Sequence, residues 1–143
     1  MRTEPLLFIV DDDPEECYLM HLAITDGGWA NAVQFFSSAG EVLQQLALLP
    51  DDGLPSLLLL DYHMPHMNGG ELLRLLKGSH SFRHLPVVFY STLLTPAMEQ
   101  RLLADGALQC FTKVQHYRAA MEFAQTLKNM LYHRKPLLSA DGV

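Results

Sequence analysis

Cysteine, long hydrophobic runs and basic residues are all scarce in this sequence of 143 residues. The two cysteines, Cys17 and Cys110, have no metal-binding spacing and are too few for a disulfide scaffold, so we expect reduced core residues. The apolar runs are far shorter than the roughly 20 residues of a membrane-spanning helix, and no signal peptide precedes the first strand. A net charge of −6 argues against nucleic-acid binding. These absences predict a cytoplasmic protein with neither a membrane nor a nucleic acid as partner.

The sequence does contain strand and helix patterns in regular alternation. Apolar residues make up 49% and charged residues 18% of the chain, which is typical of one folded domain. Strands are predicted at about residues 6–10, 32–36, 57–60, 86–90 and 108–112. Helices are predicted at about residues 14–26, 38–49, 70–77, 95–105 and 115–133. This alternation predicts an α/β fold, in which five helices cover both faces of a doubly wound, five-stranded parallel sheet.

Asp61 is the most informative residue, because it ends a run of four leucines at 57–60. Such a run is typical of a central parallel strand, and open α/β sheets bind their ligands at the carboxyl ends of their strands. The strand at 6–10 likewise ends in acidic residues, Asp11, Asp12 and Asp13. Crowded carboxylates repel one another unless a divalent cation binds, and Mg²⁺ takes oxygen ligands. The sequence therefore predicts an acidic cation site at one edge of the sheet.

An aspartate that follows a strand is more often a turn residue or a helix N-cap. Asp13 fits that explanation, because a proline and a glutamate follow it with the spacing of a capped helix start. Asp11 and Asp12 then need another reason. Asp61 is not a cap, since a Met-Pro pair separates it from the next helical pattern. We therefore keep Asp11, Asp12 and Asp61 as candidate site residues.

Four segments of the chain together resemble the receiver domains of two-component response regulators, of the single-domain, chemotaxis-receiver-like kind. They are FIVDDDP at 8–14, LDYHMPHMNG at 60–69, VVFYS at 87–91 and GALQCFTK at 106–113. The resemblance covers about residues 6–133, so we expect a receiver domain at 1–133 and a short tail at 134–143. It implies a flavodoxin-like sheet with strand order 2-1-3-4-5.

The resemblance also implies roles for the acidic residues. Asp61 would accept a phosphoryl group from a phosphohistidine on a sensor histidine kinase or a phosphotransfer protein. Asp11 and Asp12 would join Asp61 in holding Mg²⁺, with Mn²⁺ as an alternative. The backbone carbonyl of His63 would be a further metal ligand.

Ser91 and Lys113 follow the fourth and fifth predicted strands, and the resemblance implies that both contact the phosphoryl group. Taken alone, a serine after a strand is usually a turn former and a lysine an exposed edge residue. In register with the acidic residues, they suit phosphoryl transfer, which needs positioning and neutralisation of charge on the phosphoryl oxygens. The implied protein is a phosphoacceptor signalling domain, and it is not an enzyme beyond its own phosphorylation and dephosphorylation.

The sequence departs from the family pattern after and before the lysine. Val114 stands where the family usually has a proline, and Cys110 where it usually has a tyrosine or phenylalanine that reports phosphorylation. The neighbouring Phe111 should point to the opposite face of the strand. Without that ring at Cys110, we expect the phosphoryl group to pull in the hydroxyl of Ser91 and to shift the loop at 92–95.

Three residues are predicted to modulate the site: Cys110, His63 and Leu93. His63 and Leu93 each lie two residues beyond a site residue, where they would shape the access of water to the phosphoryl group. The output would be altered binding of a downstream protein partner, by a monomer or a weak homodimer through helix 4, strand 5 and helix 5. Leu102 and Met121 are candidate apolar residues of that surface.

Two other functions remain open at this point. A small phosphatase of the haloacid dehalogenase type also uses an aspartate pair spaced by one, as Asp11 and Asp13 are, but Glu15 stands where that family has threonine or valine. A pseudo-receiver would keep the fold as a binding scaffold without being phosphorylated. Phosphorylation by a small phosphodonor such as acetyl phosphate distinguishes these possibilities.

Overall fold

A computed structural model describes residues 4–113 and 116–133, and within them five strands alternate with five α-helices. The strands are β1 (Leu7–Val10), β2 (Val33–Phe36), β3 (Leu57–Leu60), β4 (Val87–Ser91) and β5 (Gln109–Thr112). The helices are α1 (Pro14–Asp26), α2 (Ala39–Leu48), α3 (Gly69–Lys77), α4 (Pro96–Ala104) and α5 (Tyr117–His133). The predicted elements are confirmed to within about two residues at each end. Val114 and the predicted tail at 134–143 lie outside the described residues.

The strands form one parallel sheet in the order β2-β1-β3-β4-β5. The predicted doubly wound, flavodoxin-like fold is therefore confirmed. The central strands β1, β3 and β4 are fully buried, because helices cover both faces of the sheet, whereas the edge strands β2 and β5 are only partly buried. Since parallel strands end at one edge, the residues that close β1, β3, β4 and β5 meet there.

Two hydrophobic layers lie on opposite faces of the sheet, because successive strand residues point to opposite sides. On one face, residues such as Leu58 and Phe89 pack with α2, α3 and α4. On the other face, residues such as Leu59 pack with α1 and α5. Cys110 packs with the first layer and Phe111 with the second, as predicted for neighbours on one strand.

Polar caps set the starts of the helices around the site. Asp13 caps α1, as predicted, and Ser38 and Thr95 cap α2 and α4 in the same way. The cap of α3 was not predicted. Asn68 Oδ1 accepts a hydrogen bond from the N–H of Glu71, and Glu71 Oε1 accepts one from the N–H of Asn68, both at 2.9 Å. This reciprocal capping box places the start of α3 one residue earlier than the sequence pattern indicates.

Two predictions about burial are wrong. Cys17 and Cys110 are free thiols but only partly buried, because Cys17 borders a surface cleft and Cys110 lies on an edge strand. Leu102, predicted for an exposed surface, is buried beneath α4 with an exposure of 1%. Of the helices in the described ranges, none has both the length and the apolar character that crossing a membrane requires.

Candidate functional site

Three carboxylates from two strand ends converge at the carboxyl edge of the sheet. Asp11 and Asp12 follow β1, Asp61 follows β3, and one oxygen of each lies within 4.8 Å of the others. Asp11 and Asp61 are buried, whereas Asp12 is exposed. The N–H of Asp13 donates to Asp11 Oδ1 at 3.0 Å and orients that carboxylate. The structure thus brings together the three side chains predicted as metal ligands.

Lys113 inserts a buried ammonium group between two of these carboxylates. Its Nζ atom lies 2.7 Å from Asp11 Oδ2 and 3.3 Å from Asp61 Oδ2, and only 4% of its side chain is exposed. Burial acts to lower the pKa of Lys113, but the two carboxylates outweigh it and the pKa lies above its ordinary value. Burial raises the pKa of Asp11 to about 6, although the Lys113 ammonium and the Asp13 N–H act to lower it. Lys113 is therefore a charged partner of the acidic cluster.

The donor set suits a hard divalent cation. All three side-chain donors are carboxylates, whose oxygens Mg²⁺ and Mn²⁺ prefer. When ionised they carry three negative charges, and the ammonium of Lys113 offsets one, which leaves two for a divalent cation to balance. The fourth predicted ligand, the backbone carbonyl of His63, stays a prediction.

Ser91 connects the Asp61 side chain to the backbone that follows it. Its hydroxyl donates to Asp61 Oδ1 at 2.5 Å and accepts the N–H of Tyr62 at 3.0 Å, and its side chain is fully buried. The Ser91 hydroxyl therefore faces Asp61 without a phosphoryl group present. The predicted pull on this hydroxyl by a phosphoryl group, and the shift of the loop at 92–95, stay predictions.

His63 and Leu93 link the loop after β3 to the loop after β4. The Nε2 atom of His63 lies 3.0 Å from the carbonyl oxygen of Leu93, while the His63 ring makes an edge contact with the ring of Tyr62. Both His63 and Leu93 are exposed, and 73% of Leu93 is accessible to solvent. The two predicted modulating residues are thus in contact with each other. The third, Cys110, lies in β5 three residues before Lys113 and packs against the first hydrophobic layer.

Sequence reasoning missed Tyr62. Its N–H holds the Ser91 hydroxyl, and its ring packs so closely against α3 that a Cβ added at Gly70 would lie 3.1 Å from Tyr62 Cε2. The only available signal was its position directly after Asp61. A backbone N–H donor cannot be recognised from the pattern of side chains, so the hydrogen bond from Tyr62 to Ser91 is evident only in the folded structure.

Known proteins resemble this chain in sequence. A family model described as the response regulator receiver domain matches residues 7–125. Two-component response regulator ARR8 of Arabidopsis thaliana is 35% identical over 91 residues, which cover 53% of this chain and 40% of that protein. Two-component response regulator ORR4 of Oryza sativa subsp. indica is 45% identical over 58 residues, or 41% of this chain and 25% of that protein. The chain therefore matches well under two thirds of the length of these relatives.

Solved structures share the fold. The phosphorylated cyanobacterial phytochrome response regulator RcpA superposes with a TM-score of 0.82 at 18% identity, over 94% of this chain and 98% of that one. The Mn²⁺-bound form of response regulator Rcp1 gives a TM-score of 0.77 at 16% identity, over 93% of this chain and 98% of that one. At such identities the likeness concerns the fold alone. With the family match over residues 7–125, the chain belongs to the response regulator receiver domain family of two-component signalling.

Proposed function

We propose that this chain is a phosphorylatable receiver in which Asp61 accepts a phosphoryl group from a phosphohistidine of a sensor histidine kinase or phosphotransfer protein. The observation that carries the proposal is the convergence on Asp61 of the two other carboxylates, the Lys113 ammonium and the Ser91 hydroxyl. Receiver domains are signalling domains, and the chemistry proposed here is confined to phosphorylation and dephosphorylation of the domain itself. We assign this domain to residues 1–133.

A Mg²⁺ ion, or Mn²⁺ in its place, would be held by Asp11, Asp12, Asp61 and the carbonyl of His63. When bound, such an ion neutralises charge on the phosphoryl oxygens and so favours transfer between two anionic groups. Asp12 is the exposed member of the three carboxylates, and Asp11 and Asp61 are buried. Asp12 would therefore be the ligand most accessible from solvent.

The transfer itself uses the carboxylate of Asp61 as nucleophile. One of its oxygens forms the new P–O bond while the P–N bond of the donor breaks, and the electron pair of that bond returns to the donor imidazole. The Ser91 hydroxyl leaves Asp61 Oδ1 and donates to a phosphoryl oxygen, and Lys113 pairs with another. Because these groups stand in place before the donor arrives, little reorganisation is needed during transfer.

The output is proposed to be altered binding of a downstream protein partner, in the cytoplasm and without a nucleic acid or membrane. Addition of a phosphoryl group brings about −2 charge into a buried cluster, so the neighbouring loops must adjust. A weak homodimer through α4, β5 and α5 stays a proposal, with the buried Leu102 removed from its surface. His63, Leu93 and Cys110 are proposed to tune the lifetime and readout of the phosphoryl group.

A phosphodonor experiment tests the proposal. The protein is incubated with acetyl phosphate and Mg²⁺, and the phosphoryl adduct is measured by intact mass spectrometry. We expect an adduct that requires Mg²⁺ and disappears in Asp61→Asn but persists in Asp51→Asn, a matched change at an exposed surface residue. An undiminished adduct in Asp61→Asn would refute the assignment of the acceptor.

The same experiment addresses the alternatives. The absence of any adduct on the folded wild-type protein would favour a pseudo-receiver scaffold. The phosphatase hypothesis has lost its support, because the family model that matches the chain is the receiver domain.

A further inference from the structure

A groove of about 340 Å³ lies between α3 and α4, on the outer side of Tyr62. Its floor is apolar and includes Gly70, Met98 and Leu102. Gly70 and Leu102 are buried, so the apolar surface of the floor that a partner can reach is chiefly that of the partly exposed Met98. The volume is near the lower limit of ligand pockets and is enough for a few side chains of a partner.

Two arginines form the rim of this groove and make it basic. Arg74 on α3 and Arg101 on α4 both face Asp105 Oδ2, at 3.5 and 3.7 Å, and their side chains are 48% and 71% exposed. Two guanidinium charges against one carboxylate leave one net positive charge, in a chain with a net charge of −6. Each guanidinium has five N–H donors, so most of them are directed away from this shared carboxylate oxygen.

The two other acidic side chains on these helices do not line the groove. Glu71 on α3 accepts the N–H of Asn68 in the capping box. Glu99 on α4 is exposed and is not among the residues that line the groove. The rim therefore keeps its positive charge, and its guanidinium groups suit bidentate binding of a carboxylate.

Hydrogen bonds connect the groove to the acidic site. Tyr62 forms one of its walls, and the Tyr62 N–H donates to the same Ser91 hydroxyl that bonds Asp61. The opposite wall, α4, begins directly after the loop whose Leu93 carbonyl is bonded to His63. If the Ser91 hydroxyl exchanges its bond to Asp61 for a bond to a phosphoryl group, both Tyr62 and the start of α4 would therefore be affected.

We propose that this α3–α4 groove binds an acidic segment of a downstream protein, with a carboxylate between Arg74 and Arg101 and an apolar side chain on the floor. The affinity of the groove for this segment differs between the phosphorylated and the unphosphorylated form of Asp61. The inference rests on the proposed function for that dependence, but not for the existence of the groove. Charge complementarity and the apolar floor together favour a peptide that carries both kinds of side chain.

The probe is a peptide that is selected for binding to the full chain from a displayed library of random 12-residue peptides. We expect selected peptides to combine Asp or Glu with a large apolar residue and to shift the amide NMR signals of the groove residues. Arg74→Gln/Arg101→Gln should weaken the binding of a selected peptide at least tenfold, whereas Arg118→Gln, at an exposed arginine on α5, should change it less than twofold.

A second pair of variants controls for weaker binding that is caused by unfolding of the protein. Ala97→Glu places a negative charge in the groove and should weaken binding, while Gln100→Glu adds the same charge to the same helix outside the groove and should not. Peptides without acidic residues, equal binding to Arg74→Gln/Arg101→Gln, amide shifts elsewhere, or no saturable binder would overturn the groove assignment.

The dependence on Asp61 has its own measurement. Beryllofluoride with Mg²⁺ should change the affinity for the selected peptide at least threefold in the wild type and not in Asp61→Asn. If acetyl phosphate forms the Asp61 adduct but the affinity stays constant, the coupling is wrong and the receiver function stands. If the peptide binds the groove but no adduct forms, the receiver function is wrong and the groove stands.

Discussion

The imidazole of His63 is hydrogen-bonded to the main chain of Leu93, with Nε2 3.0 Å from the carbonyl oxygen. This contact joins the loop after β3 to the loop after β4, at positions two residues beyond Asp61 and Ser91. Asp61 follows β3 directly and Ser91 ends β4, so the contact links the two loops that leave the site. We expect this link to hold both loops near an acyl phosphate on Asp61 and so to limit the access of water to it.

His63→Ala should therefore shorten the lifetime of the phosphoryl group on Asp61 several-fold. Loss of one exposed hydrogen bond should cost only about 0.5–1 kcal/mol of stability, so the fold should persist. The decay of the adduct is followed by intact mass spectrometry after removal of acetyl phosphate. His80→Ala, at an exposed histidine outside the site, serves as control, and an unchanged or longer lifetime in His63→Ala would contradict the shielding role.

Asp12→Ala should weaken the binding of Mg²⁺ by about tenfold or more but leave the metal-free protein equally or more stable. The reason is that Asp12 is exposed and adds negative charge to an already crowded cluster. Asp11→Ala should differ, because it removes the 2.7 Å partner of the buried Lys113 and should cost about 3 kcal/mol. Thermal and urea unfolding with and without Mg²⁺ measures both. A large loss of metal-free stability in Asp12→Ala would mean that Asp12 has a structural role.

Gly69→Ala should destabilise the protein by about 1–3 kcal/mol, because a methyl group has no room there. Its Cβ would lie 2.4 Å from the carbonyl oxygen of Asp61 and 2.7 Å from Phe89 Cε2. Gly40→Ala is the matched control, since Gly40 is exposed in α2 and a Cβ there meets nothing closer than 3.8 Å. That change should stabilise the protein by about 0.5–1 kcal/mol. Equal urea midpoints for the two variants would contradict the close approach at Gly69.

Alkylation of Cys110 should be slow at pH 8 and should accelerate about tenfold for each pH unit until close to pH 11. Burial, and then the negative charge of Glu99, raise the pKa of this thiol to about 11, so the thiolate that reacts is rare at neutral pH. Peptide-resolved mass spectrometry after iodoacetamide treatment gives the rates. Glu99→Gln should speed the reaction of Cys110 and leave that of Cys17 unchanged. A rate that levels off near pH 8.5 would show an ordinary thiol.

The acidic site was predictable from the sequence because it depends on where strands end. A buried apolar run that stops at Asp61 and another that stops at Asp11 can both be seen in one dimension. In a parallel sheet the carboxyl ends of the strands share one edge, so the fold class alone requires these residues to approach one another. Asp13 was predictable for a similar reason, because a helix cap is a local structure.

Other relationships depend on contacts that leave no local pattern. The Tyr62 N–H that holds Ser91 is a backbone donor, and the His63 ring meets a carbonyl oxygen 30 residues away. Neither partner can be identified until the loops are placed in space. The same is true of Asp105, which joins α3 to α4 through Arg74 and Arg101.

Helix α4 shows most clearly which features the sequence predicts and which it does not. Its sequence contains Leu102 and Leu103 side by side, and either could face the core as far as the apolar pattern goes. Packing against the sheet buries Leu102 to 1% exposure and leaves Leu103 42% exposed. Leu103, and not the predicted Leu102, therefore contributes to the exposed surface of α4. The sequence alone thus determined the elements, their order and the residues at the strand ends, since these follow from periodicity and local capping. Only the tertiary structure decided which face of each helix turns inward and which loops touch, because those choices depend on the shapes of surfaces that are far apart in the chain.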